Sequence, residues 1–180
     1  LHSNIAWGSL MRDKFISKDV SSKRIGLLGG MSATSSQLYY AELCRLTQAE
    51  RGGLSSPDLM LRSLDFAPLE AWMASGNWDA IADTLSREAS HLQAAGAEVI
   101  ALATNTMHKV ASDIEAAIDV PFVHIADATA GALNAAGSRT PGLIGTQFTM
   151  EQDFYLDRLR DQGLNPLVPG ASARSVINDI

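Results

Sequence analysis

The sequence is poor in cysteine, in clustered basic residues and in long apolar runs, and each absence excludes a class of protein. Cys44 is the only cysteine among the 180 residues, so no intrachain disulfide can form within this sequence and a reducing cytoplasm is the expected location. The formal net charge is −6 and the basic residues are scattered, which argues against a nucleic-acid or anionic-membrane partner. No apolar run approaches the roughly 20 residues that a transmembrane helix requires.

Metal-ligand spacing and a dinucleotide motif are missing as well. The histidines have no ligand spacing and no cysteine cluster beside them, so no metal is expected. The turn at Gly29 and Gly30 does not follow the pattern G-x-G-x-x-G, which leaves dinucleotide binding with little support. We therefore expect neither a metal nor a bound dinucleotide.

Short apolar runs alternate with segments of helical periodicity, and this alternation predicts an α/β fold with a parallel sheet. Hydrophobic residues make up 46% of the sequence and charged residues 19%, as in a globular protein with a substantial core. Strands are predicted at 25–28, 59–64, 99–103, 121–126, 143–145 and 167–168. Helices are predicted from the N-cap Ser32 to about 49, from Asn77 to Gly96, from Thr106 onward, over 127–136, from a capping box of Thr149 and Gln152 to about 162, and over 172–180.

Residues 1–22 do not share this periodicity. A signal peptide has its basic residues before the apolar core, whereas here the charges follow the stretch 5–11. We therefore expect a disordered leader or a vector remnant that lies outside the fold.

The stretch 98–109, EVIALATNTMHK, joins a buried strand to a helical pattern. In an open parallel sheet, ligands bind beyond the carboxyl ends of the strands. Thr104, Asn105 and Thr106 are predicted to lie at such an end, where their hydroxyl and amide groups could hold an anion such as a carboxylate. Loops of this kind often only cap a helix, and that alternative stays open.

Three motifs in this order resemble the aspartate/glutamate racemase family: IGLLGGMS at 25–32, TNTMHK at 104–109 and GTQFTME at 145–151. The likeness extends from about Arg24 to the last residue, and it is nearest to the subgroup of broad-specificity amino-acid and L-aspartate/glutamate racemases. It implies a cofactor-independent amino-acid racemase.

The resemblance also implies an architecture of two similar α/β lobes, each with a parallel sheet flanked by helices, and an active site between them. Residues 23–125 are then expected to form the first lobe. Residues 126–180 are expected to form part of a second lobe that is truncated here.

Racemisation at Cα requires one group that removes a proton and, on the opposite face, another that returns one. In the family that this sequence resembles, both groups are usually cysteines. Thr104 stands at the first position, and the second cysteine is missing from this sequence. A hydroxyl is a far weaker acid than a thiol with a pKa of about 8.5, so we expect Thr104 to donate or relay a proton. The alternative is that Thr104 is a structural hydroxyl in an inactive site.

The remaining substrate contacts follow from the resemblance. Asn105 and Thr106 are expected to hold a carboxylate of the substrate. Met31 and Ser32 belong to the opposing loop, and Thr146 is expected as a donor from the second lobe. The plain alternatives are a turn at the first loop and a helix cap at Thr146.

His108 stands where it could orient the Thr104 hydroxyl, but hydrogen-bonded packing is the favoured interpretation for His108 and His124. The expected ligand is a small amino acid or dicarboxylate, and the family resemblance implies a homodimer. Two other functions stay open: a catalytically inactive module that binds a small carboxylate, and a decarboxylase or isomerase of a dicarboxylic acid.

Overall fold

A computed structural model describes residues 23–178 of the chain. The leader predicted at residues 1–22 lies outside the described residues. The chain divides into two compact units, and the division falls between His124 and Ile125.

The first unit is built on a parallel sheet of four strands in the order β2-β1-β3-β4. The strands are β1 (Ile25–Gly29), β2 (Leu59–Ser63), β3 (Val99–Leu102) and β4 (Phe122–Val123). The helices are α1 (Ala33–Arg51), α2 (Phe66–Ala74), α3 (Trp78–Ala94), a 3₁₀ helix (Thr106–Val110) and α4 (Ala111–Ala116). The predicted α/β class with a parallel sheet flanked by helices is confirmed.

Strands β1 and β3 form the centre of the sheet and are buried along their whole length. Both are short continuous apolar runs, as expected for parallel strands that are covered on both faces. Helix α3 packs against them through one apolar stripe, of which four members are buried: Ile81, Leu85, Ala89 and Leu92. Asn77 caps α3 as predicted, because its side-chain oxygen accepts a hydrogen bond from the Ala80 N–H at 3.3 Å.

Helix α1 begins and ends where the sequence predicts. The Ser32 hydroxyl accepts a hydrogen bond from the Ser35 N–H at 3.3 Å, which satisfies a donor of the first turn. The helix ends at Gly52, whose φ of 74° suits a residue without a side chain. Cys44 is half-buried in the middle of α1.

Helix α2 is absent from the sequence prediction, although a start signal was present. Asp65 caps the helix by accepting a hydrogen bond from the Ala67 N–H at 3.2 Å. Pro68 follows in the first turn, where N–H groups have no partner within the helix and a proline therefore costs little. The aspartate and the proline together could have located this helix.

Two predicted boundaries near the end of the first unit are wrong. The strand predicted over 121–126 ends at Val123, because Ile125 already begins the next helix. The helix predicted from Thr106 opens with a 3₁₀ segment and becomes α-helical only at Ala111. Apolar runs as short as 122–126 suit a strand or a buried helix equally, so periodicity alone could not separate them.

The second unit contains α5 (Ile125–Ala135), α6 (Gln147–Glu151), α7 (Asp153–Asp161) and α8 (Ala171–Asn178). The strands predicted at 143–145 and 167–168 are wrong: over the described part of this unit, the pairing is a single parallel bridge between Gly142 and Leu167. The Leu143 N–H donates to the Leu167 carbonyl at 2.8 Å, which is one step of a ladder that does not continue into a strand.

The capping box predicted from Thr149 and Gln152 is also wrong. Thr146 caps α6 instead, with its hydroxyl accepting from the Thr149 N–H at 3.5 Å, while Thr149 is buried inside that helix. Gln152 has extended backbone angles and separates α6 from α7. One core cluster of the unit is formed by five buried residues: Ala126, Ala130, Tyr155, Leu159 and Leu164.

Among the helices that the structure describes, none combines the length and the apolar character that crossing a membrane requires.

Candidate functional site

The candidate site lies in the first unit, where β1 and β3 end side by side. Leu28 pairs with Leu102 in the sheet register, and the Ala103 N–H donates to the Leu28 carbonyl at 2.8 Å. The loop 29–32 and the loop 103–106 therefore leave the same edge of the sheet as neighbours. This edge carries the carboxyl ends of the strands, where open α/β sheets bind their ligands.

The loop 29–32 is held tightly against the end of β2. The Leu64 N–H donates to the Gly29 carbonyl at 2.9 Å. Gly30 has a φ of 91°, and a Cβ at this position would lie 2.1 Å from the Leu64 carbonyl oxygen. A residue with a side chain therefore does not fit at Gly30 without movement of the backbone.

Met31 and Ser32 complete this loop in different ways. Met31 is buried and its side chain belongs to the core of the first unit, so its backbone is the part that can border a ligand. Ser32 is exposed, and its hydroxyl both caps α1 and lies 3.2 Å from the Ser35 hydroxyl. The Met31–Ser32 peptide bond is cis.

The loop 103–106 presents the three polar residues that the sequence singled out. Thr104 and Thr106 are half-buried and Asn105 is exposed. The Asn105 side chain makes no capping bond to the 3₁₀ helix that follows, so helix capping does not account for this amide. Thr104 keeps contact with solvent, as a residue that meets a ligand must.

His108 lies directly beneath this loop. Its Nδ1 atom is 2.7 Å from the Thr104 backbone carbonyl oxygen, so this ring nitrogen contacts the peptide group. Orientation of the Thr104 hydroxyl was the less favoured interpretation of His108. His108 and His124 are both 2% exposed, and their ring centroids are 4.5 Å apart. Both histidines are thus buried and packed against each other, and His108 is hydrogen-bonded as the favoured interpretation of these residues has it.

Lys109 is the nearest cation along the chain to this loop. Its ammonium nitrogen lies 4.0 Å from the centroid of the Trp78 ring, a cation–π distance. Burial lowers the pKa of the Lys109 ammonium. The contact joins the 3₁₀ helix to the first residue of α3.

Thr146 belongs to the second unit, and it is exposed. Its hydroxyl lies 3.1 Å from the Thr149 hydroxyl, and it caps α6. The residues that follow it line a surface cavity of about 190 Å³: Gln147, Phe148, Glu151 and Gln152. Hydrogen bonds from Gln147 and Arg174 lower the pKa of Glu151, which keeps a negative charge beside this cavity.

Sequence reasoning missed one polar residue of the site, Ser36. Its side chain is buried, it accepts a hydrogen bond from the Gly30 N–H at 2.8 Å, and it donates to the Ser32 carbonyl at 3.1 Å. The spacing of four residues from the N-cap Ser32 was the available signal, because it places Ser36 one helical turn above the loop.

Over residues 23–178, no three histidine, cysteine, aspartate or glutamate side chains gather where they could hold a metal ion.

Comparison with known proteins agrees with this architecture. Residues 28–180 match the family model for Asp/Glu/hydantoin racemase. A crystal structure of a candidate Asp/Glu racemase from Yersinia pestis is 46% identical with a TM-score of 0.85, over 88% of this chain and 69% of that chain. An aspartate racemase homologue from Pyrococcus horikoshii OT3 is 34% identical with a TM-score of 0.78 over the same shares, 88% and 69%.

An aspartate racemase from Picrophilus torridus shares the fold at 22% identity, with a TM-score of 0.69 over 86% of this chain and 66% of that chain. The likeness to all three structures agrees with the α/β fold described above. The chain belongs to the Asp/Glu/hydantoin racemase family. Family and fold together support a racemase-type function.

Proposed function

We propose that this protein is a cofactor-independent amino-acid racemase that exchanges the Cα hydrogen of aspartate, glutamate or a related amino acid. The observation that carries the proposal is the hydrogen bond from the Ala103 N–H to the Leu28 carbonyl, at 2.8 Å, because it makes neighbours of the two polar loops. A small acid held between these loops would meet hydroxyl, amide and backbone N–H groups. The broad-specificity subgroup, a cytoplasmic location and a homodimer are parts of the same proposal.

The first requirement of the reaction is a fixed substrate carboxylate. Removal of the Cα proton spreads negative charge onto this carboxylate, so preorganised donors stabilise the carbanion more than the substrate. In the proposed arrangement, Asn105 and Thr106 hold the carboxylate from one loop. Ser32 and the Met31 backbone border the substrate from the other loop, and Thr146 is a proposed donor of the second lobe.

The second requirement is a proton donor on one face of Cα. Thr104 is proposed to give its hydroxyl proton to the carbanion while a water or another donor returns a proton to the threonine oxygen. The transfer has to be concerted, because a free threonine alkoxide is far too basic to persist at neutral pH. The half-buried position of Thr104 supports this relay, since one side of the residue remains open to water.

The third requirement is a base on the opposite face. Cys44 is the only cysteine of the sequence, and it lies in the middle of α1 rather than after a strand. The opposing thiol of the proposed mechanism is therefore missing from these 180 residues. We propose that the 180-residue protein alone binds acidic amino acids without racemising them, unless a partner chain supplies this group.

The test is incorporation of deuterium at Cα of L- and D-aspartate and L- and D-glutamate in D₂O, in a version of the protein that carries both acid/base groups. Thr104→Ala should reduce the exchange by at least about 100-fold, the usual contribution of one general acid. Thr104→Cys should retain exchange, because a thiol is a better acid. Thr140→Ala, at an exposed bend of the second unit, is the matched control. Unchanged exchange in Thr104→Ala would remove this residue from the mechanism.

A second function is favoured by one observation, the hydroxyl at position 104 in place of a thiol. A protein with this site and no opposing base would hold a small carboxylate without turning it over. Binding with no Cα exchange, even when the second group is present, would select this carboxylate-binding module over the racemase.

A further inference from the structure

Each loop of the candidate site is hydrogen-bonded to one buried polar side chain, Ser36 in the first loop and His108 in the second. We propose that Ser36 and His108 are positioning residues, which fix the peptide groups of the loops 29–32 and 103–106. The inference rests on the proposed function, because the orientation of these peptide groups matters to activity only if the loops hold the substrate.

Ser36 connects the two ends of the first loop. It is 3% exposed, it accepts from the Gly30 N–H at 2.8 Å, and it donates to the Ser32 carbonyl at 3.1 Å. One hydroxyl thus satisfies a buried donor and an acceptor on either side of Met31. Replacement by alanine would leave the Gly30 N–H without this partner, which is costly for a buried group.

Gly29 explains how the Ser36 hydroxyl can come this close. Gly29 is not among the glycines with positive φ, so its backbone does not require the absence of a side chain. A Cβ on Gly29 would, however, lie 2.4 Å from the Ser36 hydroxyl oxygen. The glycine therefore provides space for Ser36 rather than an unusual conformation.

His108 fixes the second loop through two hydrogen bonds. A carbonyl oxygen carries no hydrogen, so the 2.7 Å contact between His108 Nδ1 and the Thr104 carbonyl requires the proton to be on Nδ1. The His108 backbone N–H donates to the Asn105 carbonyl at 3.0 Å. Two successive carbonyl groups of the loop are thus turned toward His108.

The orientation of these carbonyls determines the orientation of the next two N–H groups. In a trans peptide unit the C=O and the N–H point in opposite directions, and the cis bond of the described chain lies elsewhere, at Met31–Ser32. The N–H groups of Asn105 and Thr106 therefore point away from His108. A carboxylate on that side of the loop would meet donors that need no reorganisation.

Two replacements of His108 separate positioning from packing. In His108→Asn the side-chain nitrogen stands at the same number of bonds from the backbone as Nδ1, so the donor to the Thr104 carbonyl is kept. In His108→Gln the nitrogen reaches the place of Nε2, while more of the ring volume is filled against Phe122 and His124. If His108 acts by orienting the Thr104 carbonyl, asparagine should be the better substitute. If His108 only fills space against Phe122 and His124, glutamine should be the better substitute.

Ser36→Ala is compared with Thr47→Val for the same reason. Thr47 is a buried hydroxyl of the same helix, about three turns farther from the loop, and it donates to the Leu43 carbonyl at 2.8 Å. Both substitutions remove one buried hydroxyl from α1. Only the first removes a hydrogen bond of the site.

The binding arm is an NMR titration of the ¹⁵N-labelled 180-residue protein with L-aspartate and L-glutamate. Ser36→Ala and His108→Gln should each raise Kd by about five- to tenfold, the loss expected for one well-placed hydrogen bond. Thr47→Val should leave Kd unchanged, and His108→Asn should raise Kd less than His108→Gln does. A Kd for His108→Gln equal to or below that of His108→Asn, or equal Kd values for Ser36→Ala and Thr47→Val, would overturn the proposal.

A second arm does not depend on the proposed function. The ring ¹⁵N signals of His108 should show the proton on Nδ1 in the free protein, and the Gly30 amide should lose hydrogen-exchange protection in Ser36→Ala but not in Thr47→Val. If the wild-type protein binds no acidic amino acid, the proposed function fails. The histidine ¹⁵N signals and the Gly30 exchange rate still test the hydrogen bonds of His108 and Ser36 to the two loops. A proton on Nε2 alone, or an unchanged Gly30 amide, would refute the positioning roles whether or not a ligand binds.

Discussion

Gly30 offers the sharpest test of how closely the loop 29–32 packs against Leu64. A side chain at this position is opposed both by the backbone conformation and by the lack of space. The φ of Gly30 is 91°, in the region that residues with a Cβ rarely adopt, and a Cβ would lie 2.1 Å from the Leu64 carbonyl oxygen and 2.6 Å from the Leu64 nitrogen. These are backbone atoms, so they cannot move aside as the end of a flexible side chain would. The perturbation is Gly30→Ala.

Gly76 supplies the matched control. Its φ is 72° in the left-handed turn that closes α2, where the Gly76 N–H donates to the Met73 carbonyl and the Asn77 N–H to the Trp72 carbonyl, and nothing lies within 4 Å of the Cβ that an alanine would add. Gly76→Ala should therefore cost only the conformational term, about 1–2 kcal/mol. Gly30→Ala should cost the same term plus about 1–3 kcal/mol for forcing an extra atom into packed structure. The expected difference between the two variants is thus about 1–3 kcal/mol.

The assay is urea unfolding followed by circular dichroism, with the midpoint and the slope fitted separately. Both variants should keep the wild-type slope, because neither changes the surface that unfolding exposes. The midpoint of Gly30→Ala should lie clearly below that of Gly76→Ala. Equal midpoints would refute the close approach of the loop to Leu64, and with it the account of this edge of the site.

Two further predictions concern the rest of the first unit. The Arg62 guanidinium donates a hydrogen bond to the Glu88 carboxylate at 2.7 Å, and this bond lowers the pKa of the Glu88 carboxyl. The contact therefore stabilises the fold in full at pH values above the usual carboxyl pKa. Its contribution is lost as the pH falls through the lowered pKa of Glu88. In urea unfolding, Arg62→Leu should therefore destabilise the protein by about 1 kcal/mol at pH 7, a value that allows for solvent screening at the half-exposed arginine. The loss should be smaller near pH 3. A loss of stability that grows at low pH would contradict this prediction. Leu85→Ala removes a fully buried side chain of α3 and should cost about 3 kcal/mol in the same assay, whereas a cost below about 1 kcal/mol would show that this position is not part of the core.

The central part of the fold could be predicted because its signals are local and strong. Strands β1 and β3 are short apolar runs closed by polar or glycine residues, and α3 combines an N-cap with an uninterrupted apolar stripe over 17 residues. Each of these features can be recognised within one segment of sequence. Their positions in the structure are those predicted, to within one or two residues.

The second unit was predicted less well because its pairing is not local. The segments 143–145 and 167–168 have the composition of strands, yet a strand forms only if a partner lies beside it. In the structure their contact is reduced to the bridge between Gly142 and Leu167. No local pattern records the extent of such a pairing.

The candidate site shows the same division. That Thr104 and Gly30 each follow a strand could be predicted, but that β1 and β3 are adjacent depends on the order of strands in the sheet. Ser36 and His108 were harder still to assign. Their roles depend on which face of a helix is buried and on which backbone carbonyl that face meets.

The most direct test of the central claim is whether one small acid contacts both loops at once. In the ¹⁵N-labelled protein, saturating L-aspartate or L-glutamate should shift the amide signals of Gly30, Asn105 and Thr106 together, with one common Kd. Equal amounts of L-lysine, which has no second carboxylate, should produce weaker shifts. Shifts confined to one loop, or centred instead on the cavity at Gln147 and Glu151, would contradict the account.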